Sequence, residues 1–474
     1  MTLFGANGVR GIVNRDITPE VALQLGRAIG RTFQGTVAIA ADARDSSPAL
    51  KAGVCSGMME VGAEVVDLGI LPTPALQMYV RDHPAIAGGV MVTASHNTQE
   101  YNGLKLVLQG GIEATREDEQ ALDAFYSREI AGEPWSGVGE CRTERGAVES
   151  YVDAIVANVD AEAIRKAKLT VCVDCANGAA GLTTPHILKR LGVDSVILGG
   201  DPLGYPRRES DPIRENLADL MTVTPAIHAD FGIAHDGDGG RAIFVDGDGN
   251  YIDGDIAGAL VARSILEDEK GKVATPISSS MVLQDTVEAS GGLMRYTAIG
   301  SHEVVRKMIE SKAVFGVEEN GGMVFPAVQM CRDGGMALAK MLEIVAKGGS
   351  LAEQVAQLPV YHTVKVRVEC ADEAKAALLD MFVSEAQEGG YHTDMTDGLK
   401  VSCDDGWLLL RPSTTEQCFR IYSEAKDQSV AEERAQTTAD HAAQFLAGFK
   451  PQVSRGSSRE PRGPRLSSSR PESM

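Results

Sequence analysis

Five stretches of the chain gather residue types suited to phosphate and metal-ion chemistry or to close backbone approach. Thr93-Ala94-Ser95-His96-Asn97 follows the apolar run Ala85 to Val92 and precedes Tyr101-Asn102-Gly103-Leu104-Lys105, so a serine stands where a buried strand ends. In open α/β sheets the loops beyond the carboxyl ends of strands line the crevice where ligands bind. A hydroxyl there is placed to act as a nucleophile, although Ser, His and Asn together also make an ordinary turn or helix cap.

Asp236-Gly237-Asp238, after the apolar residues ending at Ala234 and His235, is a compact carboxylate pair, with Arg241 close behind. Mg²⁺ is often held by one or two carboxylates plus a substrate phosphate. The similar Asp246-Gly247-Asp248-Gly249-Asn250, between Phe244-Val245 and Tyr251-Ile252, reads as a hairpin connection. Neither stretch completes an EF-hand. Arg411-Pro412-Ser413-Thr414-Thr415-Glu416, followed by Arg420, joins two guanidinium groups to three hydroxyls after a strand. Arginine forks match phosphate oxygens, and hydroxyls and free N–H groups supply further donors. Phe4 to Gly11 packs three glycines around Arg10, as in a loop that approaches something closely, and Val317-Glu318-Glu319-Asn320-Gly321-Gly322 is a fifth polar, glycine-rich loop.

The elements around these loops repeat. Thr18 as N-cap and Pro19 at the first position predict a helix continuing to Phe33, followed by a strand at Val37 to Ala41 and a further strand ending at Val92. A second unit runs from Tyr151 through strands at Leu169 to Asp174, Asp194 to Leu198 and Phe231 to His235. A third carries strands at Val273 to Ile277, Met294 to Thr297 and Ala313 to Gly316. Strands alternating with helices predict βαβ units and largely parallel sheets. From Tyr361 to Phe449 the pattern changes to that of a small α+β module, with strands at Thr363 to Val368 and Trp407 to Leu410. The expected divisions are 1–150, 151–252, 253–360 and 361–449, with 450–474, rich in Ser, Arg and Pro, as a disordered extension.

A chain of 474 residues is too long for one core. Its net charge of −21 argues against a general nucleic-acid binder, which needs basic surface to displace counterions. No apolar run reaches membrane-spanning length and the first residues lack a signal-peptide core, so a cytoplasmic protein without membrane attachment is expected. Eight cysteines in this length make no disulfide scaffold, and Cys172-Val173-Asp174-Cys175 overlaps a strand with no second pair, so it reads as structural.

Taken together, the five loops resemble the α-D-phosphohexomutase superfamily along nearly the whole chain to about Phe449. The Glu-Glu-Asn-Gly-Gly form of the sugar loop looks more like archaeal members than bacterial ones. The resemblance implies an α/β fold: three similar mixed α/β domains with largely parallel sheets plus a C-terminal α+β domain around a central cleft. It also implies a monomer or homodimer that interconverts hexose or hexosamine 1- and 6-phosphates, with glucosamine phosphate favoured over mannose and glucose phosphates. Ser95 would carry the phosphate, with Mg²⁺ held by Ser95, Asp236 and Asp238 and a sugar 1,6-bisphosphate as intermediate and activator. Lys105 would be the general acid/base, assisted by His96, with Arg10 beside the phosphoserine. Arg241, Glu318, Asn320, Arg411, Ser413, Thr415 and Arg420 would bind substrate.

The chain departs from the family pattern at several positions. Gly240 replaces the third aspartate of the metal loop, which is expected to weaken Mg²⁺ binding or shift its geometry. Thr98 and Gln417 replace usual prolines. Val317 and Thr414 replace usual glycines and are expected to reshape their loops. Two other readings follow: a degenerate family member that binds sugar phosphates without turnover, and a phosphatase with Asp236 as nucleophile. The phosphatase reading leaves Ser95 and the Arg411 loop unused.

Overall fold

The first helix, Pro19–Phe33, starts where the sequence places it, because the Thr18 hydroxyl accepts from Val21 N at 3.2 Å and Pro19 opens the first turn. Its buried stripe of Ala22, Leu25, Ala28 and Ile29 then lies against Ser47–Glu60. The computed structural model describes residues 4–5, 8–126, 128, 130–202, 207–413 and 416–449, so Thr414, Thr415 and the 450–474 extension lie outside the described residues.

Four sheets make up the molecule. The first runs, in spatial order, through Phe4–Gly5, Gly8–Ile12, Tyr101–Leu108, Ile86–Val92, Thr36–Ala41, Val65–Ile70 and Cys141–Thr143. Ile86–Val92 to Cys141–Thr143 pair in parallel, and the strands on the other side are antiparallel. The second sheet has the order Tyr251–Ile252, Ala242–Asp246, Phe231–His235, Thr170–Asp174, Asp194–Leu198. The third has Leu293–Thr297, Lys272–Pro276, Phe315–Val317, Met323–Phe325, Gln329–Arg332. Both repeat the plan of a parallel half extended by antiparallel strands. The fourth is wholly antiparallel: His362–Glu369, Cys418–Ala425, Gly406–Pro412, Leu399–Cys403, Thr393–Asp394, backed by Asp372–Glu388 and Gln428–Gly448. This is the α/β plan expected from the sequence, with an α+β module at the end.

One expectation is corrected. Gly8–Ile12, read as part of a loop, is a strand antiparallel to Tyr101–Leu108, with Arg10 opposite Gly103. Sheet pairing overrides the weak β-propensity of a glycine-rich segment. The Asp246 loop is the hairpin connection expected, pairing Phe244 with Ile252 while the Asp246 carboxylate accepts from the backbone of Asp248 and Asn250.

A single buried cluster joins the first three sheets through Leu71, Tyr151, Phe231, Phe244, Phe315 and the central helix Gly334–Gly348. Each fully buried large side chain in it contributes about 1.5–3 kcal/mol. The fourth sheet has its own core, built from Leu378, Leu399, Leu410, Phe419 and Ile421. It meets the third through a small apolar patch in which Ile277 packs with Trp407, Leu409 and Tyr422. Around that patch Lys400 donates to Ile277 O at 2.7 Å, and Met281 N to Glu424 at 2.8 Å. No helix among the described residues is long and apolar enough to cross a membrane.

Candidate functional site

Ser95 lies just beyond the strand Ile86–Val92, buried, with φ of +54° in the left-handed region. That conformation costs a non-glycine residue about 1–2 kcal/mol, so its surroundings must impose it. They do so through a buried pair the sequence reading did not single out for a role, Asp42 and Arg44. Ser95 N donates to Thr93 Oγ1 at 2.8 Å, and Thr93 Oγ1 donates to Asp42 Oδ2 at 2.6 Å. The Arg44 guanidinium, bonded to the same carboxylate at 3.0 Å, donates to the carbonyl oxygens of Ser95, Asn97, Thr98 and Tyr101 at 2.7–3.0 Å. One planar fork thus fixes the whole serine loop.

Opposite it, at the carboxyl end of Phe231–His235, stands the Asp236 loop. Ser95 Oγ donates to Asp236 Oδ2 at 2.9 Å, and Asp236 Oδ1 accepts from Arg241 N at 2.9 Å. Gly237 permits the approach, since a Cβ there would lie 2.7 Å from the Ser95 carbonyl oxygen. Asp238 Oδ2 accepts from Lys105 Nζ at 2.6 Å and from Thr73 Oγ1 at 2.6 Å. Burial alone would raise this carboxyl, yet Lys105, Thr73 and Arg332 hold it well below the usual carboxylate range.

Among the described residues no group of three or more His, Cys, Asp or Glu side chains is arranged to hold a metal. The oxygens present nevertheless fit a hard divalent cation that takes one or two carboxylates and keeps its waters and a phosphate. Asp238 Oδ1 is the telling atom: it is buried and has no hydrogen-bond partner. It faces Gly240, where a Cβ would sit 3.8 Å away with no closer neighbour. A Cβ at residue 240 would therefore make ordinary contacts only.

His96 Nδ1 lies 3.1 Å from Arg241 NH2. Burial, then Arg241, Arg10 and Arg332, push this imidazole down to about 2, so it is neutral and accepts from Arg241, which can only donate. Arg10 NH1 donates to Asn97 Oδ1 at 2.9 Å, while its Nε is buried without a partner. Arg10, His96 and Arg241 thus form one basic wall beside Ser95.

The sugar loop is knitted to the metal loop by backbone. Arg241 and Gly322 form an antiparallel bridge, and Ala242 N donates to Gly321 O at 3.0 Å. Glu318 is buried with Oε2 unpartnered, and Asn320 Oδ1 accepts from Gly322 N at 3.1 Å. Glu319 accepts from Lys365 of the fourth sheet at 3.0 Å. The Val317 side chain is buried at the end of strand Phe315–Val317 and packs where Gly258 lacks one.

In the fourth sheet three arginines stand in register across neighbouring strands, Arg367 opposite Arg420 and Arg420 opposite Arg411. Like charges placed directly opposite are destabilising, so the row needs anions. Glu416 serves Arg420 at 2.8 Å and Arg367 at 3.7 Å, and Asp397 serves Arg411 at 2.9 Å. Ser413 Oγ accepts from Glu416 N at 3.1 Å, and Lys375 Nζ holds the carbonyls of Ser413 and Glu416 at 2.6 Å each. Thr415 falls outside the described residues. Ser95, Lys105, His96, Arg10, Asp236, Asp238 and Arg241 come together in one buried cluster, and Glu318 and Asn320 join it through the paired loops. Arg411, Ser413 and Arg420 form a separate group on the fourth sheet.

The sequence reading missed Asp42, Arg44, Thr73, Arg332, Arg367 and Lys375. Asp42 and Arg44 had a usable signal, charged residues directly after a short buried strand. The others are brought in only by tertiary pairing. Cys172 and Cys175 are free, buried and structural as read.

This arrangement has counterparts. Four models of the phosphoglucomutase/phosphomannomutase family match in order: alpha/beta/alpha domain I over residues 1–132, domain II over 149–249, domain III over 253–361 and the C-terminal domain over 366–441. A phosphoglucomutase/phosphomannomutase of Thermococcus kodakarensis is 40% identical over 441 residues, covering 91% of this chain and 96% of that protein. A probable phosphoglucosamine mutase of Methanopyrus kandleri is 39% identical over 436 residues, covering 91% and 95%. A solved phosphoglucomutase/phosphomannomutase family protein of Burkholderia thailandensis is similar with a TM-score of 0.83 at 26% identity, covering 94% of this chain and 98% of that one. With a buried serine between a carboxylate loop and a basic wall, and all four domain types in sequence, the chain belongs to the phosphoglucomutase/phosphomannomutase family of phosphohexomutases.

Proposed function

We propose that the protein interconverts glucosamine 1- and 6-phosphates, with mannose and glucose phosphates as the second choice of substrate, through a phosphate carried on Ser95. The observation that carries this reading is the 2.9 Å contact of the Ser95 hydroxyl with Asp236 inside a buried cluster of basic side chains. In phosphoryl transfer most of the catalysis is positioning and charge neutralisation. Arg44 and Asp42 set the serine's angle, Arg10 and Arg241 supply positive charge beside it, and neutral His96 orients Arg241. A Mg²⁺ ion held by Ser95, Asp236 and Asp238 would neutralise the phosphate's charge when bound. Lys105, bonded to Asp238, exchanges the proton of the sugar hydroxyl. Glu318 and Asn320 hold sugar hydroxyls, and Arg411, Ser413, Thr415 and Arg420 hold the phosphate that is not being transferred. A sugar 1,6-bisphosphate formed in the first transfer turns in the cleft and returns its other phosphate to Ser95. Residues 1–150, 151–252, 253–360 and 361–449 divide these tasks as serine, metal, sugar and phosphate domains.

Intact-mass measurement of the purified protein is expected to find one phosphate, and peptide mapping to place it on Ser95. Ser95→Ala is expected to remove it and to abolish mutase activity with all three sugar phosphates assayed in parallel. A serine that no glucose or glucosamine 1,6-bisphosphate can charge would refute the mutase reading. It would favour the second one, a sugar-phosphate binder without turnover, for which Gly240 in place of a third carboxylate is the specific observation.

A further inference from the structure

We propose that Arg332 is a third arginine acting on the phosphoryl group in transit between Ser95 and the sugar, entering the site through the gap left by Gly322. This rests on the mutase reading. Arg332 ends the strand Gln329–Arg332, and the residues after it clamp its backbone to the metal loop. Gly334 N donates to Gly239 O at 3.1 Å, Asp333 N to Met323 O at 2.8 Å, and the Asp333 carboxylate takes Met336 N at 2.9 Å and the Tyr151 hydroxyl.

From that anchor the side chain passes Gly322, which lacks one. A Cβ on Gly322 would lie 2.5 Å from Arg332 Cδ, whereas one on Gly240 would make only an ordinary 3.9 Å contact with Arg332 Cβ. The side chain is only 11% exposed, and the charges around it are Glu318, Asp236, Asp238 and Arg10 of the site, together with Glu113. Its carboxylate contact, Glu318 Oε2, stands at 3.6 Å, beyond hydrogen-bond distance. A closed pair such as Arg27 with Glu60 makes two bonds of 2.8 Å. The Arg332 fork is therefore buried among sugar and metal loops with Glu318 held off, as suits a planar donor awaiting phosphate oxygens.

Gly240 and Arg332 act in the same direction. One removes a negative charge from beside the cation, and the other brings a positive charge to it, so cation binding weakens while phosphate binding strengthens. In the transfer the bond from phosphorus to Ser95 Oγ breaks as the bond to the sugar oxygen forms; the sugar hydroxyl gives its proton to Lys105, which enters this step as the neutral amine beside Asp238, and the released Ser95 oxygen takes up one proton, so the exchange balances. Arg332, between Glu318 and Asp238, stands beside that path.

The test uses the full chain with Arg332→Gln and Arg332→Lys. Single-turnover transfer from phosphorylated Ser95 to glucosamine 6-phosphate is followed by intact mass, Mn²⁺ binding to dephosphorylated protein by electron paramagnetic resonance, and folding by thermal unfolding. Arg332→Gln is expected to slow transfer roughly 10²–10³-fold, the effect of deleting one donor to a developing charge, with partial recovery in Arg332→Lys. Losing a like charge is expected to tighten Mn²⁺ by about threefold or more. A merely structural role would lower the unfolding temperature and leave Mn²⁺ affinity equal or weaker. Transfer within about threefold of wild type in Arg332→Gln, or Mn²⁺ affinity that does not rise, overturns the proposal. If wild-type protein neither carries nor accepts phosphate on Ser95, the mutase reading itself fails and the proposal falls with it, whereas a wild type that is charged on Ser95 leaves the two Arg332 variants to decide.

Discussion

The Lys105 ammonium lies 2.6 Å from Asp238 Oδ2, and both side chains are almost wholly buried. Each neutralises the other in a place where neither could stay charged alone, so removing one is costly. Lys105→Met is expected to destabilise the protein by about 3–5 kcal/mol by leaving Asp238 buried without its counter-charge. It is also expected to lower kcat by roughly 10²–10⁴-fold through loss of the proton carrier. The pH dependence follows from the sign. Asp238 sits below its ordinary 3.8, so its contribution is complete above that pH and is lost as pH falls through the lower folded value. In Lys105→Met burial prevails and the carboxyl takes its proton at higher pH. Mn²⁺ titrations of the variant are therefore expected to weaken through the mildly acid range while those of the wild type do not.

The loops legible in the sequence were those in which chemistry needs several unusual residues close together along the chain, as at Ser95, Asp236 and Glu318. Arg44 shows what escapes such a reading. It lies 51 positions from Ser95 and serves the site through four carbonyl oxygens, which have no residue type to recognise. Arg332 escapes for a related reason, since its relevance depends on Gly322 lacking a side chain where the chain folds back on it. Gly8–Ile12 was misread because its pairing partner, Tyr101–Leu108, lies far along the chain. The central parallel strands, Thr36–Ala41, Ile86–Val92 and Phe231–His235, were legible because each is a short apolar run bounded by turns, a pattern set by burial on both faces.

His96 should make the protein acid-sensitive in a defined window. Its imidazole is held down to about 2 in the fold, by burial first and then by Arg241, Arg10 and Arg332, against 6.5 when free. The unfolded chain then binds a proton that the folded chain refuses, so stability falls as pH drops below 6.5 toward the folded value. The slope from this one group reaches at most about 1.4 kcal/mol per pH unit. His96→Gln is expected to flatten the stability profile between about pH 5 and 6.5, as read from urea unfolding at each pH. A histidine acting as proton acceptor in turnover would instead give an acid limb to kcat, and one acting as proton donor an alkaline limb, which the substitution would remove.

Arg367, opposite Arg420 in the fourth sheet, is 60% exposed and shares Glu416 with it. A third cation in the row costs stability in the free protein and returns it when a dianion binds. Arg367→Ala is expected to raise KM for the sugar phosphate several-fold, on the order of 1 kcal/mol, with kcat unchanged. Unfolding stability should stay the same or rise slightly. A fall in kcat without a change in KM would mean that Arg367 acts on the transferred phosphate and not on the anchored one.

Gly240 offers the most direct manipulation of the metal loop. A Cβ there meets nothing closer than 3.8 Å, and the nearest atom is the unpartnered Asp238 Oδ1. The Cβ of Gly240→Asp therefore makes ordinary contacts only, and the substitution adds a carboxylate close to the oxygen that already lacks a partner. Without a cation, Asp236, Asp238 and the new aspartate repel one another, so the variant is expected to be less stable by about 1–2 kcal/mol in metal-free buffer. Saturating Mg²⁺ binds the folded state alone and is expected to reverse that order. The Mg²⁺ concentration for half-maximal rate should fall about tenfold or more, and Mn²⁺ affinity should tighten in parallel. An unchanged Mg²⁺ titration together with unchanged metal-free stability would mean that residue 240 lies outside the cation's reach, and that Asp236, Asp238 and Ser95 hold it unaided.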